Sequence, residues 1–418
     1  MSQHKSIKSA LLLKLFFLLV AILSATGIFA AQKRTKLGNE IFIQTLLSEL
    51  SQKRLGLVCN QTSVLPDGKS LVEALIKKGA SIEAVFTPEH GFRGKLEAGA
   101  EVEDNLLEKI KIFSLYGKTK KPTQEQAQSI DAFVYDIQDV GTRYYTYITT
   151  LKYIMEAAAA FGKTVYVLDR PNPAGGLIVE GPLLRSAYES FRGAFPIPVR
   201  YGLTVGELAL MMKGEGWVPP QVELHVVRMT NWGRHFFWED TGLSWIPTSP
   251  NIPFPETAII YPGTGLLGAF TINPGLGTLN PFLQFGAPWL DTAEIIQKLG
   301  EGANYGVELE PLIYTPMSLP GKTLHPPYES RACQGIHVRI SNKSRFLSLR
   351  FTLELIKAIQ ETHPEKIRLH PESLNQMFGN DLLTKYIEGG LSFDDLLAEM
   401  EKDEKSFLQK RQKYLLYE

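Results

Sequence analysis

The sequence predicts an α/β fold, in which a Rossmann-like domain with a mostly parallel sheet is followed by a smaller α+β C-terminal domain. Two observations lead to this prediction. Short apolar runs at 55–58, 82–86, 132–135 and 164–168 are typical of strands buried on both faces of a parallel sheet. Helical segments separate these runs, and strands that alternate with helices pair in parallel through crossover connections.

The helices between the strands are indicated by caps and by periodicity. Capping boxes span 70–73 and 204–207. Apolar residues recur at helical spacing across 144–161, and Gly162 then ends the segment. From about residue 245 the chain becomes rich in Gly and Pro, which excludes long helices there.

We place the first domain at 31–265 and the second domain at 266–418. In the second domain the sequence predicts a helix near 292–299, a strand at 336–340, a helix at 347–361 and a charged helical tail.

Composition excludes several classes of function. The chain has 418 residues, 21% of them charged, and a formal net charge of zero, so nothing indicates a nucleic-acid partner. No G-x-G-x-x-G motif follows the first strand, and the eight His are not paired at ligand spacing, so we expect neither a dinucleotide cofactor nor a metal. Cys59 and Cys333 are too few for a disulfide scaffold. We expect buried thiols, with a long-range bridge as the alternative.

Residues 1–30 have the features of a secretory signal peptide. Lys5, Lys8 and Lys14 occur without an acidic residue, and an apolar stretch that ends in small residues follows them. An uncleaved membrane anchor is the alternative, although the apolar run is shorter than the roughly 20 residues that span a bilayer. We therefore expect secretion to the periplasm or cell envelope, without stable membrane insertion after cleavage.

Each of the four predicted strands ends in a cluster of polar residues. Because the carboxyl ends of parallel strands lie at one edge of the sheet, where ligands bind in open α/β folds, we predict that these clusters share one site. The candidate residues in strand order are Asn60; Glu89, His90 and Arg93; Asp136, Asp139, Arg143 and Tyr144; and Asp169, Arg170 and Asn172.

Two glutamates are candidates for acid–base chemistry. Glu89 follows a buried strand, and a partly shielded carboxylic acid can donate a proton near neutral pH. Alternatively, it caps a turn or pairs with Arg93. Glu180 follows the apolar residues 177–179, and an exposed loop position is the alternative for it.

The arginines and aromatic residues of these clusters are candidates for substrate binding. Arg143 and Arg170 could each hold an anionic group through the planar guanidinium, or could form internal pairs with Asp. Tyr144 or Trp232 could stack on a sugar ring, with core packing as the alternative role.

Long stretches of the chain closely resemble the NamZ-type exo-β-N-acetylmuramidases. The resemblance extends over about residues 50–418 and weakens after 290. The matching stretches are GLVCNQT (56–62), TPEHGFRG (87–94), DIQDVGTRYYTYI (136–148), LDRPNPAGG (168–176), VEGP (179–182), PIPVRYGLTVGELA (196–209), TGLSWIPTSPNIPFP (241–255), YPGTGLL (261–267) and FGAPW (285–289).

The resemblance implies hydrolysis that releases N-acetylmuramic acid from the non-reducing end of peptidoglycan fragments, with muropeptides or disaccharides as substrates. It also implies that the smaller domain closes the cleft, and that the two catalytic glutamates are Glu89 and Glu180. We expect Glu89 to be the general acid and Glu180 the base or nucleophile. Assistance by the acetamido group of the sugar remains an alternative. Arg143 and Arg170 are then candidates for binding the lactyl carboxylate of muramic acid.

One segment departs from the pattern of the family, which usually has E-G-T-N-x-S-x-G-R-G-T. Gly268, Thr271, Asn273 and Leu276 stand at the acidic, Asn, Ser and Arg positions of that pattern. This departure leaves a non-catalytic or altered-specificity envelope glycan-binding protein as the alternative function.

Overall fold

The computed structural model describes residues 33–94, 105–107, 110–300 and 305–418. The predicted signal peptide at 1–30 lies outside these ranges. Within them, no helix is both long enough and apolar enough to cross a membrane.

A seven-stranded sheet forms the centre of the first half of the chain. Six strands are parallel, and β3 pairs antiparallel with β4 at one edge. This sheet confirms the predicted α/β class. The strands are β1 (Arg54–Cys59), β2 (Ser81–Thr87), β3 (Asn105–Leu107), β4 (Ile110–Ser114), β5 (Ala132–Asp136), β6 (Thr164–Leu168) and β7 (Glu223–Val227).

The strand order is β3-β4-β2-β1-β5-β6-β7. From β1 the chain first extends the sheet to one side through β2 and β4, and then to the other side through β5, β6 and β7. Among the parallel strands this is the doubly wound Rossmann order, with its topological switch point between β1 and β5. The sequence did not indicate β4 and β7, because their buried and exposed residues alternate near the sheet edges.

Within the described ranges of this half, five helices accompany the sheet; the ends of some of them follow local sequence signals, whereas Ser70 makes no capping bond with its side chain. Thr204 caps one of them by accepting a hydrogen bond from the Glu207 N–H, as predicted. Gly162 ends another helix in the left-handed conformation, with φ of 63°. The helices are α1 (Gly38–Thr45), α2 (Leu71–Lys77), α3 (Gln124–Gln128), α4 (Tyr147–Phe161) and α5 (Val205–Gly214).

The sheet buries both of its faces in separate apolar clusters. On β5, Val134 packs in one cluster with Leu55 and Leu57, whereas Phe133 and Tyr135 point into the other cluster. Successive side chains of a strand point to opposite faces, so an apolar residue is needed at every position. This explains why the strands appear in the sequence as continuous apolar runs.

The second half contains a three-stranded antiparallel sheet with order β8-β10-β9, packed with helices. It confirms the smaller α+β region. A ten-residue helix forms within the Gly- and Pro-rich stretch, because Pro255 lies in its first turn, where no N–H is needed. The elements are α6 (Pro255–Thr264), β8 (Gln284–Ala287), α7 (Thr292–Lys298), β9 (Val307–Tyr314), β10 (Cys333–Ile340), α8 (Ser348–Thr362), α9 (Pro371–Phe378), α10 (Leu382–Ile387) and α11 (Phe393–Arg411).

The end of the chain packs back against the first sheet. Phe407 and Tyr414 belong to the same apolar cluster as the α4 and α5 residues. Arg411 donates hydrogen bonds to the carbonyl oxygens of Gly202 (2.8 Å) and Gly176 (3.1 Å). Thr35–Glu418 consequently forms one compact unit. The boundary predicted between residues 265 and 266 stays a prediction.

The two cysteines are buried and are not activated as nucleophiles. Cys59 and Cys333 are both buried free thiols, as the sequence suggested. Burial raises the pKa of Cys333 to about 11, and it also raises the pKa of Cys59. Both residues therefore stay protonated and pack as small apolar groups.

Candidate active site

A cleft of about 1000 Å³ lies between the two halves of the chain. Its size suits a small ligand such as one or two sugar rings. Among the residues that line it are Glu89, His90, Tyr116, Lys120, Tyr144, Tyr145, Thr146, Tyr147 and Arg192 from the first half, and Tyr261, Gly268, Leu276, Phe282, Lys322 and Glu372 from the second half.

Glu89 lies at the carboxyl end of β2 and faces this cleft. Pro88 follows the strand, and His90 and Gly91 both have positive φ (72° and 74°), so the chain turns sharply and presents the carboxylate. Glu89 is half-buried, and its Oε2 accepts a hydrogen bond of 2.8 Å from the Thr146 hydroxyl. The carboxylate is thus oriented by the protein and still reached from the cleft.

Tyr116 is the second hydroxyl beside Glu89. Burial, together with the charge of the Glu89 carboxylate and a hydrogen bond to it, raises the pKa of Tyr116 to about 12. The phenol is therefore neutral at physiological pH, and its hydroxyl donates a hydrogen bond to the Glu89 carboxylate. Tyr116 and Thr146 come from the loop after β4 and the start of α4, so two separate β-α units fix the position of one carboxylate.

A group of tyrosines forms one wall of the cleft at the start of α4. The Tyr144 hydroxyl donates to the Tyr261 carbonyl oxygen at 2.6 Å, and the Tyr147 hydroxyl donates to the Thr248 carbonyl oxygen at 2.8 Å. The rings meet edge to face, with centroids 5.1 Å apart for Tyr144 and Tyr261 and 4.7 Å apart for Tyr145 and Tyr147. Burial raises the pKa of each of these phenols. The wall is therefore uncharged and rigid.

The cleft also presents positive charge. Lys120, Arg192 and Lys322 line it, together with the carboxylates of Glu89 and Glu372. Arg192 donates from Nη1 to the Ser373 hydroxyl at 3.0 Å. Lys120 Nζ lies 4.6 Å from the centroid of the Phe191 ring. The cations of the described lining outnumber its carboxylates, which favours an anionic ligand.

Glu180 does not reach the cleft. It is buried, and its carboxylate pairs with Arg200 at 3.1 Å. The same carboxylate accepts hydrogen bonds from the N–H groups of Ser348 (3.1 Å), Leu349 (2.9 Å) and Arg350 (3.3 Å), at the beginning of α8. Burial raises the pKa of Glu180, although Arg200 opposes the rise. The expected role as base or nucleophile is not supported by this position, because no oxygen of Glu180 is left to contact a substrate.

The structure also corrects the role predicted for Arg143. It is fully buried and donates to the carbonyl oxygens of Pro182 (2.7 Å), Ile197 and Met377 (3.0 Å). Burial lowers the pKa of Arg143 to about 9. Its guanidinium joins loops of both halves of the chain, so it neither binds a ligand carboxylate in the cleft nor forms the alternative Asp pair.

Arg170 forms the internal pair that was the alternative for it. Its Nε and Nη2 donate to the two carboxylate oxygens of Asp136 at 2.6 and 2.9 Å, and both side chains are buried. Asn39 of α1 donates to the same carboxylate at 3.1 Å. These groups bond to one another at the carboxyl ends of β5 and β6, at the edge of the sheet where a ligand was expected.

The remaining polar residues of the clusters bond to protein groups and do not line the cleft. Asp139 accepts from the Gly141 N–H at 2.6 Å and from the Tyr201 hydroxyl, and burial raises its pKa to about 6. Asn172 donates to the Leu203 carbonyl oxygen at 2.9 Å, and the Asn60 side chain accepts from the N–H of Thr62, also at 2.9 Å.

Asp169 is held in the same way by the end of the chain. It accepts from the Thr204 hydroxyl (2.8 Å), the Gly206 N–H (2.8 Å) and the Tyr417 hydroxyl (2.5 Å), and burial raises its pKa to about 7. Arg93 is exposed outside the cleft, and Trp232 packs against Tyr417 in a small apolar cluster. The predicted residues after β1 and β6 therefore do not line this cleft, and one site shared by all four clusters stays a prediction.

Of the residues predicted for the site, Glu89, His90 and Tyr144 line the cleft. Sequence reasoning missed Tyr116, although it follows β4 as Glu89 follows β2, and recognising β4 as a strand would have found it. Arg192 and Lys120 lie in loops with no comparable signal. Tyr261 lies in one of the stretches matched to the family, but no position in that stretch was assigned a role.

The segment that departs from the family pattern contributes directly to the cleft. Gly268 and Leu276 line it, whereas Thr271 and Asn273 are bonded to the backbone of neighbouring loops. A Cβ at Gly268 would meet no atom within 4 Å. The wall at 268 is therefore open, and the wall at 276 is apolar.

Both halves of the chain match sequence profiles of one family. The sequence profile described as "Exo-beta-N-acetylmuramidase NamZ, N-terminal" matches residues 55–256, and the profile described as "Exo-beta-N-acetylmuramidase NamZ, C-terminal" matches residues 259–417. The chain belongs to the NamZ family. The match covers both halves of the structure and thus all the walls of the cleft.

Similar proteins include one whose name gives an activity and two of known structure. The peptidoglycan beta-N-acetylmuramidase NamZ of Bacillus subtilis (strain 168) is 37% identical over 392 residues, which are 93% of this chain and 92% of the relative. A DUF1343 family protein of Bacteroides fragilis NCTC 9343 has 34% identity and a TM-score of 0.85, and a second such protein of that strain has 30% identity and a TM-score of 0.74. Each alignment covers 92% of this chain and 99% of the solved one.

Within the ranges that the structure describes, no group of three or more His, Cys, Asp or Glu side chains could hold a metal ion.

Proposed function

We propose that this protein is an exo-β-N-acetylmuramidase, a glycoside hydrolase that releases N-acetylmuramic acid from the non-reducing end of peptidoglycan fragments. One observation carries the proposal: a chain that matches the NamZ family over both of its domains presents an oriented carboxylate, Glu89, in its cleft. The substrates are muropeptides or disaccharides derived from peptidoglycan.

Glu89 is the proton donor in this proposal. Glycoside cleavage requires an acid that protonates the leaving oxygen while the bond to the anomeric carbon breaks. Thr146 holds one carboxylate oxygen at 2.8 Å, and Tyr116 contacts the same group, so the acid stays in one orientation as the substrate enters. The uncharged tyrosine wall excludes water from one side of this acid.

Attack at the anomeric carbon requires a second group. Of the described cleft residues, Glu372 carries the other carboxylate, and it is exposed on α9, near Gln376. Glu180 is not available for this role, because it is buried and its carboxylate pairs with Arg200. Glu89 is therefore the residue through which the proposal is tested.

The test is product analysis with purified protein and a defined disaccharide of N-acetylmuramic acid β-linked to N-acetylglucosamine. We expect both monosaccharides to appear in equal amounts by mass spectrometry. The Glu89→Gln variant should lose roughly 100-fold to 10,000-fold in kcat, as expected when a general acid is removed. Glu365→Gln, at an exposed glutamate that does not line the cleft, is the matched control and should keep kcat within a few-fold of the wild type.

Two outcomes would contradict the proposal. Wild-type protein that binds the disaccharide without releasing N-acetylmuramic acid would instead favour the glycan-binding alternative. Full turnover by Glu89→Gln would remove Glu89 as the acid while leaving the activity in place.

We also propose that the protein acts in the periplasm or cell envelope after export. The basic head and the apolar run of residues 1–30 support this proposal, and so does a substrate located in the envelope. N-terminal sequencing of the protein from its cellular source should find a chain that begins between about residues 28 and 32. A full-length chain in the cytoplasm would contradict export.

A further inference from the structure

The tip of one loop places an arginine in the cleft. Ser190 and Gly193 bond to each other through their backbones, from Ser190 N–H to Gly193 O at 2.8 Å and from Gly193 N–H to Ser190 O at 3.0 Å. This pairing closes a tight hairpin with Phe191 and Arg192 at its tip. Phe191 and Arg192 are therefore the two central residues of a two-residue hairpin loop.

Phe191 anchors this tip. Its ring stacks on Tyr153, with centroids 6.0 Å apart and an interplanar angle of 30°, and its centroid lies 5.9 Å from that of Tyr116. Lys120 Nζ lies over the same ring at 4.6 Å. Because the neighbouring residue is fixed between aromatic rings, Arg192 is held at the cleft wall by its own backbone.

The charge of Arg192 is not neutralised within the described part of the chain. Its polar contact there is the hydroxyl of Ser373, at 3.0 Å from Nη1, and no described carboxylate lies within 4.0 Å of it. By contrast, Arg170, Arg200 and Arg234 are paired with buried carboxylates. Nε and Nη2 of Arg192 remain available to a ligand.

The charges of Arg192 and Glu89 both affect the pKa of the same two phenols, Tyr116 and Tyr261. The positive charge of Arg192 opposes the rise in the pKa of Tyr116 and of Tyr261, whereas the negative charge of Glu89 contributes to both rises. The geometry agrees with this: Tyr116 contacts Glu89, and its ring centroid lies 5.9 Å from that of Phe191, the residue before Arg192. Both Glu89 and Arg192 line the same cleft.

We propose that Arg192 binds the carboxylate of the lactyl ether on the sugar whose linkage Glu89 protonates. A guanidinium is planar and offers two parallel N–H donors, which match the two oxygens of a carboxylate. Muramic acid carries this carboxylate and glucosamine does not. Arg192 thereby selects the anionic sugar, the role that the sequence had assigned to Arg143 and Arg170. This inference rests on the proposed function, because it assumes that the ligand is muramic acid.

The experiment compares free N-acetylmuramic acid with its lactyl methyl ester, which has the same shape without the charge. Dissociation constants are measured by calorimetry for the wild type, Arg192→Met and Arg192→Lys. We expect the wild type to bind the acid roughly 10 to 100 times more tightly than the ester, as for a hydrogen-bonded charge pair. Arg192→Met should bind both equally, and Arg192→Lys should show an intermediate preference.

Two further measurements separate a direct contact from a general effect of charge or fold. Arg368→Met removes an exposed arginine that does not line the cleft and should keep the wild-type preference. Raising the salt concentration should reduce the preference of the wild type for the acid, since exposed charge pairs are screened, and should leave the equal binding of acid and ester by Arg192→Met unchanged.

An Arg192→Met protein that still prefers the acid would overturn the proposal, and so would a wild-type protein that binds acid and ester equally. Failure of the proposed function would appear differently, as absence of N-acetylmuramic acid release from the disaccharide by the wild type.

Discussion

The two glutamates singled out by the sequence differ in their surroundings. Glu89 follows a central strand and faces the cleft, where hydroxyl groups orient it. Glu180 lies in what we call the seam, the contact formed by Glu180, Arg200 and the first backbone N–H groups of α8. A carboxylate enclosed by a guanidinium and several N–H groups stabilises the contact between elements, whereas one that faces a cleft is available for chemistry.

The largest expected effect comes from removing the charge of Glu180 in the seam. Glu180→Gln leaves Arg200 buried without its partner, so we expect the free energy of unfolding to fall by about 3–5 kcal/mol. Denaturant unfolding measures this loss, and Glu372→Gln, at an exposed position, should change it by less than about 0.5 kcal/mol. A Glu180→Gln protein that keeps wild-type stability but loses turnover would show that Glu180 takes part in the reaction.

A second effect concerns pH and the contact of the chain end with Asp169. Burial raises the pKa of Asp169 from 3.8 to about 7, so the folded state holds a proton that the unfolded state releases. Its contribution to stability is therefore greatest below about pH 4 and declines as the pH rises to about 7, by about 1.4 kcal/mol for each unit of pKa difference.

The Asp169→Asn variant isolates this contribution. The difference in unfolding free energy between wild type and variant should shift in favour of the variant as the pH rises from 4 to 7. Denaturant titrations at several pH values measure it. A difference that stays constant over this range would show that Asp169 is ionised in the folded protein at all of them.

The wall of the cleft can be tested with two glycines three residues apart. A Cβ at Gly265 would lie 2.4 Å from the Tyr144 hydroxyl, whereas a Cβ at Gly268 would meet nothing within 4 Å. Gly265→Ala should destabilise the protein by about 1–3 kcal/mol and lower kcat/KM, because Tyr144 must move. Gly268→Ala should leave both nearly unchanged. Thermal unfolding and kinetics of the pair check this, and equal effects would contradict the described wall.

The smallest expected effect concerns the hydroxyl group that orients Glu89. Thr146→Val removes the hydroxyl that donates to the Glu89 carboxylate, and kcat/KM should fall roughly fivefold to tenfold, equivalent to about 1 kcal/mol. The Thr146 side chain makes no capping bond to α4, so thermal stability should be nearly unchanged. An unchanged kcat/KM would show that Thr146 does not orient the acid.

The fold was largely predictable because its signals are local. Continuous apolar runs indicated β1, β2, β5 and β6, and the capping box at 204–207 indicated the start of α5. β4, next to one edge of the sheet, and β7, at the other edge, were missed, since more and less buried residues alternate along them. The site was less predictable: Asp136, Asp139, Asp169 and Arg170 have the composition of a binding site, but they bond to one another and to backbone groups.

The sequence by itself determined the alternation of strands and helices, the family of the chain, and Glu89 as a polar residue at a strand end. The tertiary structure alone decided which charges are neutralised. A buried ion requires a partner. The second half of the chain therefore supplies groups that enclose Glu180 and Arg143. Arg192 lies on an exposed loop without a sequence signal, and its charge remains available in the cleft. These contacts join residues more than 160 positions apart, and no local pattern specifies such pairs.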